Sequence, residues 1–156
     1  MSVENIQEEL AGTRMFRNLT PKQIRAMVDL GEEVEFADGR ALMVEGDPAD
    51  AFFLIREGFV ALEIQTPTGA ITIETLHNGD PVGWSWLFEP YITHFDARSR
   101  GTTRAIKFDA GELRRRCEAD AQLGYELMRS FTSVIVERLH ATRLQLLDVY
   151  GNVTVS

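Results

Sequence analysis

The sequence has a single cysteine, Cys117, which excludes an internal disulfide framework, a four-cysteine iron–sulfur cluster and a zinc site built on thiolates. It has no apolar run near the roughly 20 residues that a membrane-spanning helix needs. Its first eleven residues carry Glu4, Glu8 and Glu9 and lack both the basic and the apolar stretch of a signal or transit peptide. The expectation is a cytoplasmic chain with no membrane contact. Positive charge is also short, because 16 Lys and Arg face 24 Asp and Glu for a net charge of −8, which repels a phosphate backbone. His77, His94 and His140 are scattered, with none of the clustering that a cupin-type metal site requires. Ser85 stands in no Gly-x-Ser-x-Gly elbow. No catalytic residue and no metal ligand set is assigned, so a cupin-like metal enzyme stays only as an alternative that these spacings do not support.

What is present is the composition of an ordinary globular chain: 156 residues, 44% hydrophobic and 26% charged, enough for one domain with a substantial core. The charge is uneven. Residues 1–96 hold 6 basic and 17 acidic side chains, whereas residues 97–156 hold 10 and 7. Arg98, Arg100, Arg104, Lys107, Arg114, Arg115 and Arg116 read either as solvated charge on strands and a short helix or as a local patch for an acidic partner or a phosphate.

Local signals divide the chain in three. Thr20-Pro21-Lys22-Gln23 has the form of a capping box with proline at the first helical position, and predicts a helix to about Leu30 closed by a left-handed Gly31. Phe16 and Leu19 ahead of it are apolar enough to pack that helix onto a core. Asp38-Gly39, Gly46-Asp47-Pro48, Glu57-Gly58, Pro67-Thr68-Gly69 and Asn78-Gly79-Asp80 then punctuate the sequence at intervals of about 8 to 11 residues, a spacing of short antiparallel strands. Val60, Leu62 and Ile64 alternate with Ala61, Glu63 and Gln65, Ile71 and Ile73 with Thr72 and Glu74, and Ala51 to Ile55 is apolar on both faces. This predicts an eight-stranded β-roll or jelly roll. Asp109 and Asp120 are placed to cap a short helix and a long one, the latter reaching Tyr150 and ended by Gly151. Leu127, Phe131, Ile135, Leu139, Leu146 and Tyr150 form a stripe on it. A helix of about 29 residues is roughly 43 Å long, more than one small roll spans, so the expectation is a homodimer through Phe131, Ile135, Leu139, Leu146 and Tyr150.

The order of motifs, Asp38-Gly39, Val44-Glu45-Gly46-Asp47-Pro48, Phe53 to Val60 with Gly58, and Gly79-Asp80-Pro81-Val82-Gly83, resembles the cyclic-nucleotide-binding domain family over about residues 12–150. In its stand-alone form this is the sensor domain of catabolite activator-like proteins. The resemblance implies a helical opening over 1–31, a β-roll over 32–108 and C-terminal helices over 109–150. The chain ends six residues after Tyr150, which leaves no room for a helix-turn-helix domain and predicts no nucleic-acid binding by these residues alone.

In that family a phosphate-binding cassette follows Gly-Asp-x-apolar-Gly: backbone N–H groups of a short helix and an Arg receive the cyclic phosphate, and a Glu accepts from the ribose. The cassette of this chain would comprise Gly83, Trp84, Ser85, Trp86 and Leu87 and, after an intervening stretch, Phe95, Ala97 and Arg98, with Ser85 capping its short helix. It departs from the family where Trp84 stands in the place of the Glu and Phe95 in the place of the Arg. Arg98 or Arg100 can substitute only if the alignment slips or the backbone re-aims. Trp84, Trp86, Phe88, Tyr91 and Phe95 put five of fourteen aromatics within twelve residues. They plug the pocket, or form an apolar pocket for another ligand, or dock a protein. Cys117, beside three arginines, is either a small core residue or a thiol of depressed pKa. The expected function is a non-catalytic regulatory module with an unidentified protein partner and no cofactor, binding cAMP or cGMP weakly or not at all. A cyclic-nucleotide or other small-ligand sensor with an altered cassette is the alternative.

Overall fold

The computed structural model describes residues 3–154, with side chains described over 5–148. The elements are α1 (Val3–Ala11), α2 (Pro21–Asp29), β1 (Gly31–Phe36), β2 (Ala41–Met43), β3 (Ala51–Thr66), β4 (Gly69–Leu76), β5 (Pro81–Val82), a 3₁₀ turn (Ser85–Leu87), β6 (Asp96–Asp109), α3 (Ala110–Ala119) and α4 (Ala121–Thr154). All strand pairs are antiparallel, in the order β1-β6-β3-β4 with β2 added to β6 and β5 to β3. This is the expected roll with six strands in place of eight. The difference arises at Glu57-Gly58, which is no turn: β3 runs through it with register shifts on both sides of Glu57. Gly58 has φ 102° and lies so close to β6 that a Cβ would stand 2.5 Å from the Thr102 carbonyl oxygen, so only glycine passes.

Consecutive residues of β3 feed two cores, as the two-residue period of a strand requires. Phe52 and Leu54 face the helices, joined by Phe16, Met27, Trp86, Phe108, Leu127 and Phe131. Phe53, Ile55, Val60 and Leu62 face the interior of the roll with Leu76, Val82, Phe95 and Ala97. The alternation expected beyond Leu62 fails: Ile64, Ile71 and Ile73 are exposed on the β3–β4 hairpin, of which β4 is an edge strand.

The capping box at Thr20 forms with both reciprocal bonds. Gly31, however, is the first residue of β1, and Leu30 closes α2 in a right-handed conformation. Its smallness serves packing, since a Cβ there would lie 2.7 Å from Ile106 Cγ2. Asp109 accepts from the Glu112 N–H and Asp120 from the Leu123 N–H, as the caps of α3 and α4. α4 continues through Gly151 to Thr154. Its core-facing residues correct the predicted dimer stripe. Phe131 is 1% exposed and packs within its own chain, its ring 5.1 Å from Phe52 and 5.4 Å from Trp86. Ile135 is half-buried, Leu139 and Leu146 are exposed, and Tyr150 lies outside the residues whose side chains are described. Among the described residues, no helix is long and apolar enough to cross a membrane.

Candidate functional site

The cassette is strung between β5 and β6. Gly83 (φ 97°) turns the chain into Trp84 and the 3₁₀ turn, whose N-cap is Trp84 with no side-chain cap, so the predicted cap at Ser85 is absent and Ser85 is simply buried. The β3–β6 register decides which residues see the interior. Leu62 pairs with Ala97, and both point into the roll core alongside Phe95. Ala61 pairs with Arg98 and Glu63 with Asp96, so Arg98 and Asp96 lie on the opposite, outer face.

The interior beside the cassette is therefore apolar. Phe95, Ala97, Leu62, Leu76 and Val82 are buried there, and Met43 of β2 presses into the space that Gly83 leaves, its Cε 2.3 Å from where a Cβ would stand. Trp84 is half-buried, touches both cores and stacks on His94 with ring centroids 5.8 Å apart. No slip or re-aiming brings Arg98 or Arg100 inward. On the outer face Glu63, 5% exposed, accepts from Arg98 Nε at 3.2 Å and from Arg100 Nη2 at 2.7 Å, while Arg98 Nη1 donates to the Gly39 carbonyl at 2.7 Å. Asp96 beside them accepts from the Glu45 N–H at 2.8 Å and from Gln65 Nε2 at 2.9 Å, and these bonds, the Glu45 one foremost, hold its carboxyl below the usual carboxylate range.

The aromatics divide rather than gather into one pocket. Trp84 and Phe95 serve the roll interior. Trp86 belongs to the helical core, stacked on Phe52 with centroids 5.4 Å apart, and its indole N–H is buried without a hydrogen-bond partner. The Trp86 carbonyl accepts from Arg114 Nη1 at 2.8 Å, and the Arg114 guanidinium lies 4.2 Å from the Tyr91 ring centroid. Leu87 and Tyr91 pack partly buried against the helical core, and Phe88 is exposed. Two clefts flank the cassette. One, of about 400 Å³, is bounded by Leu42, Met43, Phe53, Thr93 and Lys107. The other, of about 520 Å³, lies between Trp86, Leu87 and Tyr91 and the α3–α4 pair.

The basic cluster of the sequence is dispersed in space. Besides the Glu63 pairs, Arg104 meets Glu57 at 3.6 Å and Arg115 pairs with Glu112. Cys117 is half-buried, and burial, then Asp120 and Glu118, push its thiol pKa up, so three neighbouring arginines in sequence do not activate it. Among the described residues, no three His, Cys, Asp or Glu side chains come together as metal ligands. Sequence reasoning missed Met43, Glu63 and Arg138. Arg138 follows Leu127, Phe131 and Val134 on the inner face of α4, donates to the Pro81 carbonyl at 2.9 Å and lies 3.3 Å from Glu74. Burial pushes Arg138 down and Glu74 up from their ordinary pKa values. Its helical spacing of 4, 3 and 4 from those core residues was the available signal.

The sequence profile of the cyclic nucleotide-binding domain matches residues 33–120. A CRP-like cAMP-activated global transcriptional regulator of Mycobacterium tuberculosis is 26% identical over 145 residues, 92% of this chain and 63% of the relative. A cAMP-dependent protein kinase regulatory subunit of Dictyostelium discoideum is 27% identical over 115 residues, 71% of this chain and 35% of the relative. The chain thus spans less than two thirds of these curated relatives. The crystal structure of a cyclic nucleotide-binding protein from Geobacter metallireducens GS-15 superposes with a TM-score of 0.77 at 28% identity, covering 90% of this chain and 99% of that one. With the antiparallel roll, its flanking helices and the profile match over more than half the sequence, this chain belongs to the cyclic nucleotide-binding domain family.

Proposed function

We propose that the chain is a non-catalytic regulatory module that does not hold cAMP or cGMP in its family's usual way and acts through protein contacts. The observation that carries this reading is the occupation of the cassette's inner side by Met43, Trp84 and Phe95, while Arg98 is committed to Glu63 on the other face of the sheet. A cyclic phosphate in that apolar interior would lose its hydration with no cation to replace it, a cost of several kcal/mol. Each ~1.4 kcal/mol is a factor of ten in affinity, so a micromolar site becomes a millimolar one. Trp84 and Trp86 are the only tryptophans and both lie in the cassette. Titration calorimetry with cAMP and cGMP, read beside tryptophan emission, therefore tests the proposal directly: no saturable heat in the micromolar range is expected, and micromolar cAMP binding refutes it. The altered-cassette reading draws on the cleft that Met43 and Phe53 line, and a ligand that quenches Trp84 while cyclic nucleotides do not would favour it.

The module is proposed to be a homodimer, through the exposed part of α4 at Leu139 and Leu146, which are 59% and 52% exposed in the single chain. Light scattering at tens of micromolar tests this, with a monomer the refuting result. Residues 1–156 alone are proposed not to bind duplex DNA, and a salt-dependent electrophoretic shift at physiological ionic strength would contradict that.

A further inference from the structure

The cleft of about 520 Å³ beside the cassette lies outside the roll, and its walls come from the 3₁₀ turn and the loop after it, from α3 and from α4. Leu87, Tyr91, Cys117, Tyr125 and Met128 make it largely apolar. Tyr125 is 62% exposed and Met128 38%, so part of that apolar surface is left uncovered. One cation stands in it. Arg114 is half-buried, donates from Nη1 to the Trp86 carbonyl at 2.8 Å and lies 4.2 Å from the Tyr91 ring centroid, yet among the described residues no carboxylate comes within 4 Å of its guanidinium. Glu118, the acidic residue of the lining, is exposed and leaves it unpaired. Trp86, in the same wall, keeps an indole N–H without an acceptor. Uncovered apolar surface thus adjoins a positive charge that the chain itself does not neutralise.

The cation is also held in place. Among the described residues, Tyr91 is the one residue other than glycine with a positive φ, 57°, a conformation that a bulky side chain rarely adopts. Its N–H donates to the Phe88 carbonyl at 2.9 Å and its carbonyl accepts from the Ala49 N–H at 2.7 Å, so both sides of the strained residue are tied down and its ring is fixed beside Arg114. We infer that this cleft binds a small organic anion with a flat apolar body, its carboxylate or similar group on Arg114 and its body against Tyr91, Tyr125 and Met128. A guanidinium has five N–H donors in a fork that fits a carboxylate, and one arm on the Trp86 carbonyl orients the rest. The volume is that of a small-molecule pocket. None of its walls is a strand, so it offers no sheet edge for an extended peptide to join. The inference goes beyond the proposed function, because the site lies outside the roll and gives the module an effector class that does not depend on cyclic nucleotides.

The test uses anilinonaphthalene sulfonate, an apolar anion whose emission rises on leaving water, beside phenylnaphthylamine, which has the same rings and no charge. Saturable binding of the sulfonate at one site per chain is expected. Arg114→Gln should weaken the sulfonate roughly ten- to a hundredfold and leave the amine nearly unchanged, whereas Tyr125→Ala should weaken both. Arg115→Gln, which alters an exposed guanidinium of the same helix paired with Glu112, should change neither. Sulfonate binding that does not saturate, or that Arg115→Gln weakens as much as Arg114→Gln, refutes the site. Saturation seen only in a Leu139→Glu, Leu146→Glu monomer shows that a second copy covers the cleft, and also refutes it. Displacement of the probe by cAMP places it in the roll interior and refutes both this site and the closed cassette, while cAMP that binds by calorimetry without displacing the probe refutes the closed cassette alone. Circular dichroism checks the fold of each variant. Should Arg114→Gln lose its fold, Tyr125→Glu at its exposed position decides the matter: a loss of sulfonate affinity of about tenfold or more is expected from the like charge, and an unchanged affinity refutes the site.

Discussion

Restoring the two missing polar groups by Trp84→Glu and Phe95→Arg should unfold the chain more easily and make that loss reversible by cyclic nucleotide. Phe95 sits in the roll core among Leu62, Leu76, Val82 and Ala97. Removing its buried ring forfeits roughly 1.5–3 kcal/mol, and a guanidinium left unpaired in its place costs a further few kcal/mol. A total of about 5 kcal/mol, at roughly 2–4 °C per kcal/mol for a chain of this size, lowers Tm by about 10–20 °C. The loss falls within the ~5–15 kcal/mol stability of a typical domain, so a marginal fold survives at low temperature. If Phe95→Arg points inward, cAMP supplies the absent counter-charge, and at a hundredfold excess over its Kd it returns about 2.7 kcal/mol, some 5–11 °C. Scanning calorimetry of wild type and variant, each with and without cAMP, reads all four quantities. A drop in Tm below about 2 °C would refute the packed interior position of Phe95. A cAMP-induced rise as large in the wild type as in the variant would refute the plugged cassette itself.

Other changes separate the remaining contacts. Glu63→Gln should cost roughly 1.5–3 kcal/mol in urea unfolding, because a buried carboxylate loses charge-assisted bonds from Arg98 and Arg100; no change would mean that the outer-face pair is mere surface charge. The Asp96 carboxyl titrates below its ordinary value in the folded chain, so its contribution is complete above the unfolded carboxylate pKa and fades as pH falls through the lower folded one. Asp96→Asn should therefore lower stability at neutral pH, with the gap closing only under strong acid, and an equal gap across the whole pH range would contradict the linkage. Phe131→Ala should cost about 3–5 kcal/mol through the cavity left beside Phe52 and Trp86, while Leu139→Glu should leave domain stability nearly unchanged and abolish self-association; the reverse pattern would return Phe131 to the interface.

Local chemistry was the most legible part of the sequence. The Thr20 box and the caps at Asp109 and Asp120 depend on residues within three positions of one another, and the structure contains all three. Gly31 and Gly58 were misjudged for a common reason. Each reads as punctuation, yet each is glycine because another strand approaches it, Ile106 in one case and the Thr102 backbone in the other, and such approaches belong to tertiary structure. The α4 stripe mixed two faces for a similar reason. Leu127 and Phe131 are buried in the chain's own core, whereas Leu139 and Leu146 are exposed. A run of apolar residues on a helix does not by itself say which of them its own core covers, and here the position of β3 and the cassette decides it.

At the cassette, Trp84 and Phe95 were legible as departures, but the parity that turns Arg98 outward was not, because a strand's facing is fixed by its partner's register and not by its own residues. Once Leu62 is known to face Ala97, every neighbouring assignment follows, including the capture of Arg98 by Glu63. The filling of the pocket proposed above has a structural consequence. Trp84 contacts both the helical core and the roll core, and Met43 reaches Gly83 from β2, so the residues proposed to close the pocket also join the two cores. A ligand entering there would have to replace that junction as well as bind.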